Sequence, residues 1–252
     1  TITADVTYID WDGTILHEYT AAEFAALTAH PDNPDRSADG LRAQGWNWGL
    51  AAAQACVAEH GRLVIGQQYI TDDEATRIHI DTTLVPSELW TGGFRIYFTQ
   101  SVANGVEVDW GDGTVERFAQ NVAARHAYAA EGQYCISLKP DAGCTLAVSS
   151  NFFGNVNYSA VMVLHSGVTR VHCGRLTGTL GRIGGINTER LTIAADTVSA
   201  LSQFGMVSKL ASLTIPEGVT TIGNTAFQNC CALQSRTIPE GVTSIGNTAF
   251  QN

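Results

Sequence analysis

Period-two alternation of apolar and polar residues dominates the middle of this chain. Arg77-Ile-His-Ile80, Phe94-Arg-Ile-Tyr-Phe98, Val106-Glu-Val-Asp-Trp110, Gln133-Tyr-Cys-Ile-Ser-Leu138 and Thr145-Leu-Ala-Val148 alternate or run apolar between Gly-rich breaks. Each reads as a strand, and together they fill residues 74–150. Before them the pattern is mixed. Val6–Trp11 and Thr14–Tyr19 flank Asp12-Gly13 and predict a β-hairpin. Ala21–Ala29 predicts a short helix, with Thr20 as N-cap and Glu23 completing a capping box. His30–Asp39 is a Pro/Asp loop, Gly49–His60 a second helix closed by Gly61, and Arg62–Ile70 a strand. The order β-β-α-loop-α-β defines a small α+β module over residues 1–73.

The last third of the chain repeats itself. Leu210-Ala-Ser-Leu213-Thr-Ile215-Pro-Glu-Gly-Val219-Thr-Thr-Ile222-Gly-Asn-Thr-Ala226-Phe227-Gln-Asn-Cys230 recurs from Leu233 to Asn252, a period of 23. Leu213 and Ile215 mark a short inward-facing strand, Pro216-Glu217-Gly218 a turn, and Val219 with Ile222 a second apolar pair. Ala226-Phe227 then closes the coil. One such unit cannot bury its apolar face alone, so units must stack. Degenerate copies precede it at Val168–Cys173 and Thr188–Ile193, with steps of 20, 22 and 23 between Val171, Leu191, Leu213 and Arg236. Atypical first units suit an N-terminal cap. Arg236 breaks the pattern by standing where Leu213 points inward, so its head must snorkel outward or the last unit must splay. The chain stops at Asn252, one position short of the residue matching Cys230. A longer array with an uncapped last coil is the expectation.

A 20–29-residue period with an LxxLxI core is the mark of leucine-rich solenoids. The pattern IPEGVTxIGxxAFxNC resembles the BspA-like leucine-rich repeat family. Val108-Asp-Trp-Gly-Asp-Gly-Thr114, followed by His126-Ala-Tyr128-Ala-Ala-Glu-Gly-Gln-Tyr134, resembles the PKD family of immunoglobulin-like sandwiches. That resemblance implies Trp110 between two sheets, and Gly111-Asp112-Gly113 in a turn that no bulky residue tolerates. The hairpin and GWNW turn of the first module resemble the β-grasp-like repeats of bacterial surface proteins. The expected fold class is therefore multidomain and mainly β. It comprises a small α+β module (1–73), a PKD-like β-sandwich (74–150) and a leucine-rich repeat solenoid (151–252).

Composition narrows the function. The chain carries 14 basic and 24 acidic residues, for a net charge of −10. Residues 1–150 hold 8 basic and 20 acidic side chains, and residues 151–252 hold 6 and 4. Clustered Lys/Arg is missing, so nucleic acid is not an expected partner. No apolar run reaches about 18 residues, so membrane insertion is not expected either. Hydrophobic residues make up 44% and charged residues 15%, which excludes general disorder. Six cysteines (56, 135, 144, 173, 230, 231) show no CxxC and no zinc spacing. A hairpin of Tyr134–Leu138 with Cys144–Val148 pairs Cys135 with Val148 and leaves Cys144 too far along to bridge. Cys230 reads as a buried coil-closing thiol and Cys231 as an exposed one.

Candidate chemistry is sparse. Tyr8-Ile-Asp10-Trp-Asp12-Gly13-Thr14-Ile-Leu16 matches the haloacid-dehalogenase phosphatase signature, in which the first Asp attacks phosphorus, the second is acid/base and Mg²⁺ neutralises charge. Such a site needs a later Lys and an acidic pair at strand ends. The first lysine is Lys139, and Asp72-Asp73 follow too soon for a parallel α/β sheet. A hairpin tip accounts for the same letters. Asp109 and Asp112 lack the spacing of a Ca²⁺ loop and read as turn acids. Seven histidines (17, 30, 60, 79, 126, 165, 172) show neither HxxxH nor HExxH. Gly178–Gly185 reads as a repeat turn rather than a phosphate loop. No catalytic residue, metal or cofactor is expected.

The better candidate site is the open strand face of the repeats. With Leu213 and Ile215 inward, Ser212 and Thr214 point out. The same frame gives Arg170/His172, Arg190/Thr192 and Ser235/Thr237, a ladder basic at one end and hydroxyl-rich at the other. The resemblances to BspA-like repeats and to PKD sandwiches imply a non-enzymatic extracellular, cell-surface adhesion or recognition protein that binds a cell-surface protein or glycan, and the ladder is its candidate binding face. Two other readings stand beside it. One is a self-assembling subunit of an extracellular filament, phage tail or other virion appendage. The other is a Mg²⁺-dependent phosphatase through Asp10 and Asp12.

Overall fold

The computed structural model describes residues 4–148, 153, 166–193, 198–202, 204 and 207–251, with backbone alone for Ser235 and Arg236. The chain is mainly β with few helices. The Arg236 side chain, Ser235 hydroxyl, His165 and Asn252 lie outside the described part.

The first module runs β1 (Val6–Ile9), β2 (Ile15–Tyr19), α1 (Ala21–Ala25), β3 (Leu41–Trp46), α2 (Leu50–His60) and β4 (Leu63–Thr71). The hairpin forms around Asp12-Gly13, with Gly13 at φ +86°. Thr20 and Glu23 make the reciprocal capping box, but α1 stops at Ala25, short of Ala29. Gly61 closes α2 in the left-handed conformation. Strand β3 is an addition to the expected order, inserted between the loop and α2. The sheet runs β2-β1-β4-β3, with the central pair parallel and both outer pairs antiparallel. Val6, Tyr8 and Ile65 pack with Phe24, Ala53 and Val57 of the helices. The module's sheet is covered on both faces, because β1 and most of β4 are buried without alternation.

The middle of the chain contributes β5 (Thr76–Asp81), α3 (Ser87–Thr91), β6 (Phe94–Ile96), β7 (Thr99–Gln100), β8 (Val106–Asp109), β9 (Val115–Arg117), β10 (Ala124–His126), β11 (Gln133–Pro140) and β12 (Leu146–Val148). All five expected strands are present. Trp110 is fully buried, its indole N–H donates to Glu116 at 2.9 Å, and it stacks on His126. The Tyr128 hydroxyl donates to the Trp110 carbonyl at 2.9 Å, and Tyr128 stacks on Tyr134. The two motifs coupled by spacing thus meet in space. A Cβ on Gly111 (φ +82°) would lie 2.7 Å from the Cys135 carbonyl oxygen, which explains the glycine there. The expected hairpin between Tyr134–Leu138 and Cys144–Val148 is not formed. β11 pairs with β5 and β8, so Cys135 faces His79, while β12 joins a different sheet. Cys135 and Cys144 are both free thiols.

The repeats supply β13 (Val168–His172), β14 (Leu176–Leu180), β15 (Arg190–Thr192), β16 (Val198–Leu201), β17 (Ser212–Thr214), β18 (Thr221–Ile222), β19 (Ser235–Thr237) and β20 (Ser244–Ile245). They alternate between two sets of parallel neighbours. β13 pairs β15 and β17 pairs β19, with steps of 20 and 23 residues. β14, β16, β18 and β20 form the second ladder. Gly178 therefore sits in a strand, not a turn, at a bulge with φ +98°. Between the ladders lie Leu213, Ile215, Val219 and Ile222, and the rings of Phe204, Phe227 and Phe250 stack at 5.2 and 5.3 Å. Cys230 is buried and Cys231 exposed.

Strands of the middle segment close both ladders at their first edge. β5 pairs antiparallel with β13, and β12 pairs parallel with β14. One sheet thus runs β15-β13-β5-β11-β8-β9 across residue 150, and one apolar cluster spans Ile70 to Ala249. The edge protection expected from degenerate repeats comes instead from these strands. Trp110→Ala is expected to lower stability by about 3–5 kcal/mol in urea unfolding. The exposed Val115→Ala should change it by less than about 0.5 kcal/mol.

Candidate functional site

Side chains on one face of neighbouring strands line up in rows, and the register of β5, β13 and β15 sets out two such rows. Arg77, His172 and Thr192 form one; His79, Arg170 and Arg190 form the other. Ile78, Val171 and Leu191 alternate with them and enter the core. The outer face of three strands thus concentrates three arginines and two histidines in a chain whose net charge is −10. Arg77 and His79 are the members that repeat-frame reasoning missed. Arg77-Ile-His79 and Arg170-Val-His172 share one pattern, but only the antiparallel pairing of their strands brings the two together.

The ladder face is not open. The first module lies across it, with β4 running against β15, β17 and β19. His172, Thr192, Ser212 and Thr237 are 6%, 4%, 3% and 2% exposed. Thr192 accepts a hydrogen bond from the Cys173 N–H at 3.2 Å. Thr237 accepts one from the Asn47 amide at 2.7 Å, and the Trp48 indole N–H donates to the Ile238 carbonyl at 3.1 Å. Asn47 is itself held by paired bonds with the Gly66 backbone. Ser212 sits against Gly13 at the hairpin tip, and its hydroxyl has no partner among the described residues. Thr214 is half-buried with its hydroxyl equally unpartnered. Of the expected exposed ligand contacts, His172, Ser212, Thr214 and Thr237 thus meet the chain's own first module, and Thr192 is buried against the Cys173 backbone. The Ser235 side chain lies outside the described residues.

The basic end differs. Arg170 and Arg190 stay exposed, and among the described residues neither forms an ion pair. The Arg190 guanidinium lies 5.1 Å from the centre of the Trp11 ring, a cation–π contact that fixes its direction. Trp11 also contacts His172, and His172 meets His79 edge-on at 5.6 Å. Arg77 is held by Asp73 through two bonds of 2.8 Å. Between these groups and the Asp39–Gly40 and Thr71–Asp72 segments is a cleft of about 400 Å³. Burial, reinforced by the neighbouring arginines, pushes the His79 imidazole down to about 4. Burial again, then His79 and the arginines, pushes His172 down to about 3. Both are neutral at pH 7, and the positive charge belongs to the guanidinium groups.

Asp10 and Asp12 are placed differently from a phosphatase pair. The buried Asp10 carboxylate accepts from the Trp11 N–H at 2.8 Å and the Tyr69 hydroxyl at 2.7 Å, and its other oxygen is bound by Arg36. Asp12 accepts the Thr14 N–H at 3.0 Å and fixes the hairpin tip. Asp109 and Asp112 likewise accept turn N–H groups, and Asp112 pairs with His126 at 2.7 Å. Among the described residues, no three His, Cys, Asp or Glu side chains are grouped to hold a metal ion. No helix among them is long and apolar enough to cross a membrane.

Residues 186–252 match the BspA type Leucine rich repeat region (6 copies). The match begins after β13 and β14 and includes β15 to β20. No curated protein and no solved structure matches the chain.

Two outcomes test this arrangement. A Cβ on Gly66 would lie 2.8 Å from Thr214 Cγ2 and 2.9 Å from Thr237 Oγ1, and closer still to Thr214 Oγ1. Gly66→Ala should therefore loosen the module from the ladder. Amide exchange in Asn47–Trp48 and Thr214 should rise while the Phe227 region keeps its protection. The histidines contribute to the acid limb of stability. In the unfolded chain they take protons near pH 6.5, but in the folded protein His79 and His172 do so only near 4 and 3. The unfolded state binds more protons in that window, so stability falls as pH drops below about 6.5. His30, also held low mainly by burial, adds to the slope. A His79→Gln/His172→Gln variant should show a shallower decline in Tm between pH 6.5 and 4.5; an unchanged slope would contradict the assignment.

Proposed function

We propose that this is a non-enzymatic extracellular adhesion or recognition protein that presents a small basic site to a cell-surface protein or glycan. Its two parallel ladders are, in this reading, successive coils of a leucine-rich solenoid, joined to a PKD-like sandwich. The hydrogen bond from Tyr128 to the Trp110 carbonyl and the stacking of Tyr128 on Tyr134 support the second element, and the β2-β1-β4-β3 order with a parallel centre supports a β-grasp-like first module. Proteins with BspA-type repeats are typically surface adhesion or recognition proteins. The observation that carries the proposal is the pairing of Arg170 with Arg190. Among the described residues these neighbours stay exposed and form no ion pair, while His172, Thr192, Ser212 and Thr237 of the same ladder are buried. The involvement of both Asp10 oxygens with Arg36, Tyr69 and Trp11 supports a reading without catalysis.

A structural subunit of a filament, phage tail or virion appendage is the second reading. It draws on the far end of the ladders. Ile245 of β20 is 52% exposed, whereas Ile222, its equivalent one coil earlier, is fully buried by the coil that stacks on it. A second copy of the chain set against β20 would cover Ile245 in the same way.

Light scattering over a concentration series, repeated with bacterial cells and mucin-type glycans, separates the two. The recognition reading expects a monomer that is retained by one such surface. An Arg170→Glu/Arg190→Glu variant should lose at least about tenfold in that retention, the scale of one broken charge-assisted contact. Polymers that grow with concentration in the protein alone, and that Ile245→Asp abolishes, would replace it with the structural one.

A further inference from the structure

The cleft at the basic end has the features of a ligand site rather than of a solvated surface. Its floor is the Arg170–Arg190 row, whose parallel neighbours stand about 4.8 Å apart at the backbone. The two side chains leave neighbouring strands at paired positions, and like charges so placed repel each other. Among the described residues no carboxylate forms an ion pair with either, and the hairpin-tip Asp12 reaches Arg190 only through its longer-range field. His172 lines the same cleft, is 6% exposed, and its Nδ1 has no hydrogen-bond partner among the described residues. A buried polar atom left unpaired costs about 1–3 kcal/mol. Arg190 is held in place by Trp11, so its donors are positioned before any ligand arrives.

We propose that this cleft binds one compact oxyanion, the carboxylate of a sugar acid, between Arg170 and Arg190. The proposal deepens the recognition reading, on which its biological occupant rests. A planar carboxylate suits the fork of donors that each guanidinium presents. The surroundings limit the ligand to a single negative group. Asp39 and Asp72 stand at the rim, and residues 1–150 hold 20 acidic against 8 basic side chains. A polyanion would meet the two rim acids, whereas one carboxylate reaches the arginines past them. Arg77 is neutralised by Asp73 and shapes the wall rather than adding free charge. His172 and His79 are neutral without the ligand, and an anion beside them favours their charged forms.

The test uses the full chain and sodium glucuronate, titrated against sodium chloride at equal ionic strength and followed by calorimetry and by the NMR shifts of the histidine rings. Glucuronate is expected to bind where chloride does not, and to raise the pKa of His172. Arg170→Ala/Arg190→Ala should weaken binding at least about tenfold, while Arg117→Ala, remote from the cleft and paired with Asp141, should not. Arg170→Lys/Arg190→Lys keeps the charge without the fork. If that variant remains folded and binds glucuronate like the wild type, the geometric assignment fails. Equal heats for glucuronate and chloride, or binding that survives the alanine pair, would overturn the site. Preference for inorganic sulfate over glucuronate would overturn its assignment to a carboxylate. A glycan chain ending in glucuronate, tested beside the free acid, distinguishes the two sources of the same group; tighter binding of either one supports the site. A chain that binds glucuronate but no cell surface keeps the site and loses the recognition reading. Retention on a surface without any response to glucuronate does the reverse.

Discussion

The antiparallel pairing of β5 with β13 is the interaction on which the other features rest. A parallel ladder begins on a strand whose outer N–H and C=O groups have no neighbour, and leaving them so is both costly and an invitation to aggregate. β5 satisfies them, and its other edge is occupied by β11. The sheet of the middle segment and the first repeat ladder are consequently one surface. The same pairing sets Arg77 opposite His172 and His79 opposite Arg170. It also fixes where β4 emerges, because only the four residues 72–75 separate it from β5. A connection that short leaves the first module little choice but to lie against the face that β5 and β13 share.

How the module lies there follows from size and polarity. Gly66 allows β4 to approach Thr214 and Thr237 more closely than any side chain would permit. Asn47 then joins the two parts by bonding the Gly66 backbone with one end and Thr237 with the other. The contact is incompletely satisfied, since the hydroxyls of Thr7, Ser212 and Thr214 are buried without partners among the described residues. Each costs on the order of 1 kcal/mol or more, so the docking rests on shape and a few well-placed bonds rather than on a fully connected polar network.

Electrostatics divides the ladder into two parts with different fates. Hydroxyl-bearing positions can be covered, because a hydroxyl gives up little hydration that one hydrogen bond does not restore. Guanidinium groups cannot be covered without partners, so the arginine end stays in contact with water. The histidines between these extremes are covered and stay neutral, with burial as the main cause. A cleft bounded by fixed charge on one side and by the module on the other is the result.

Much of this was legible in the residues themselves. The capping box at Thr20, the turns at Asp12-Gly13 and Gly61, the alternation of the middle strands and the 23-residue period are local signals, and local chemistry determines them. Trp110 was likewise legible as a core residue from its motif. Pairing partners were not. Cys135 opposite His79 instead of Val148, and β12 in the second ladder, depend on which edges need closing, a condition no window of sequence contains. The outward direction of Ser212, Thr214 and Thr237 followed from period two, but what lies over them did not, because alternation states which way a side chain points and not what it meets. The sequence by itself determined the elements, the repeat and the residue types along the ladder. Only the tertiary structure decided that the hydroxyls are sealed and the arginines free, because burial is a property of the contacts between distant segments and not of the residues alone.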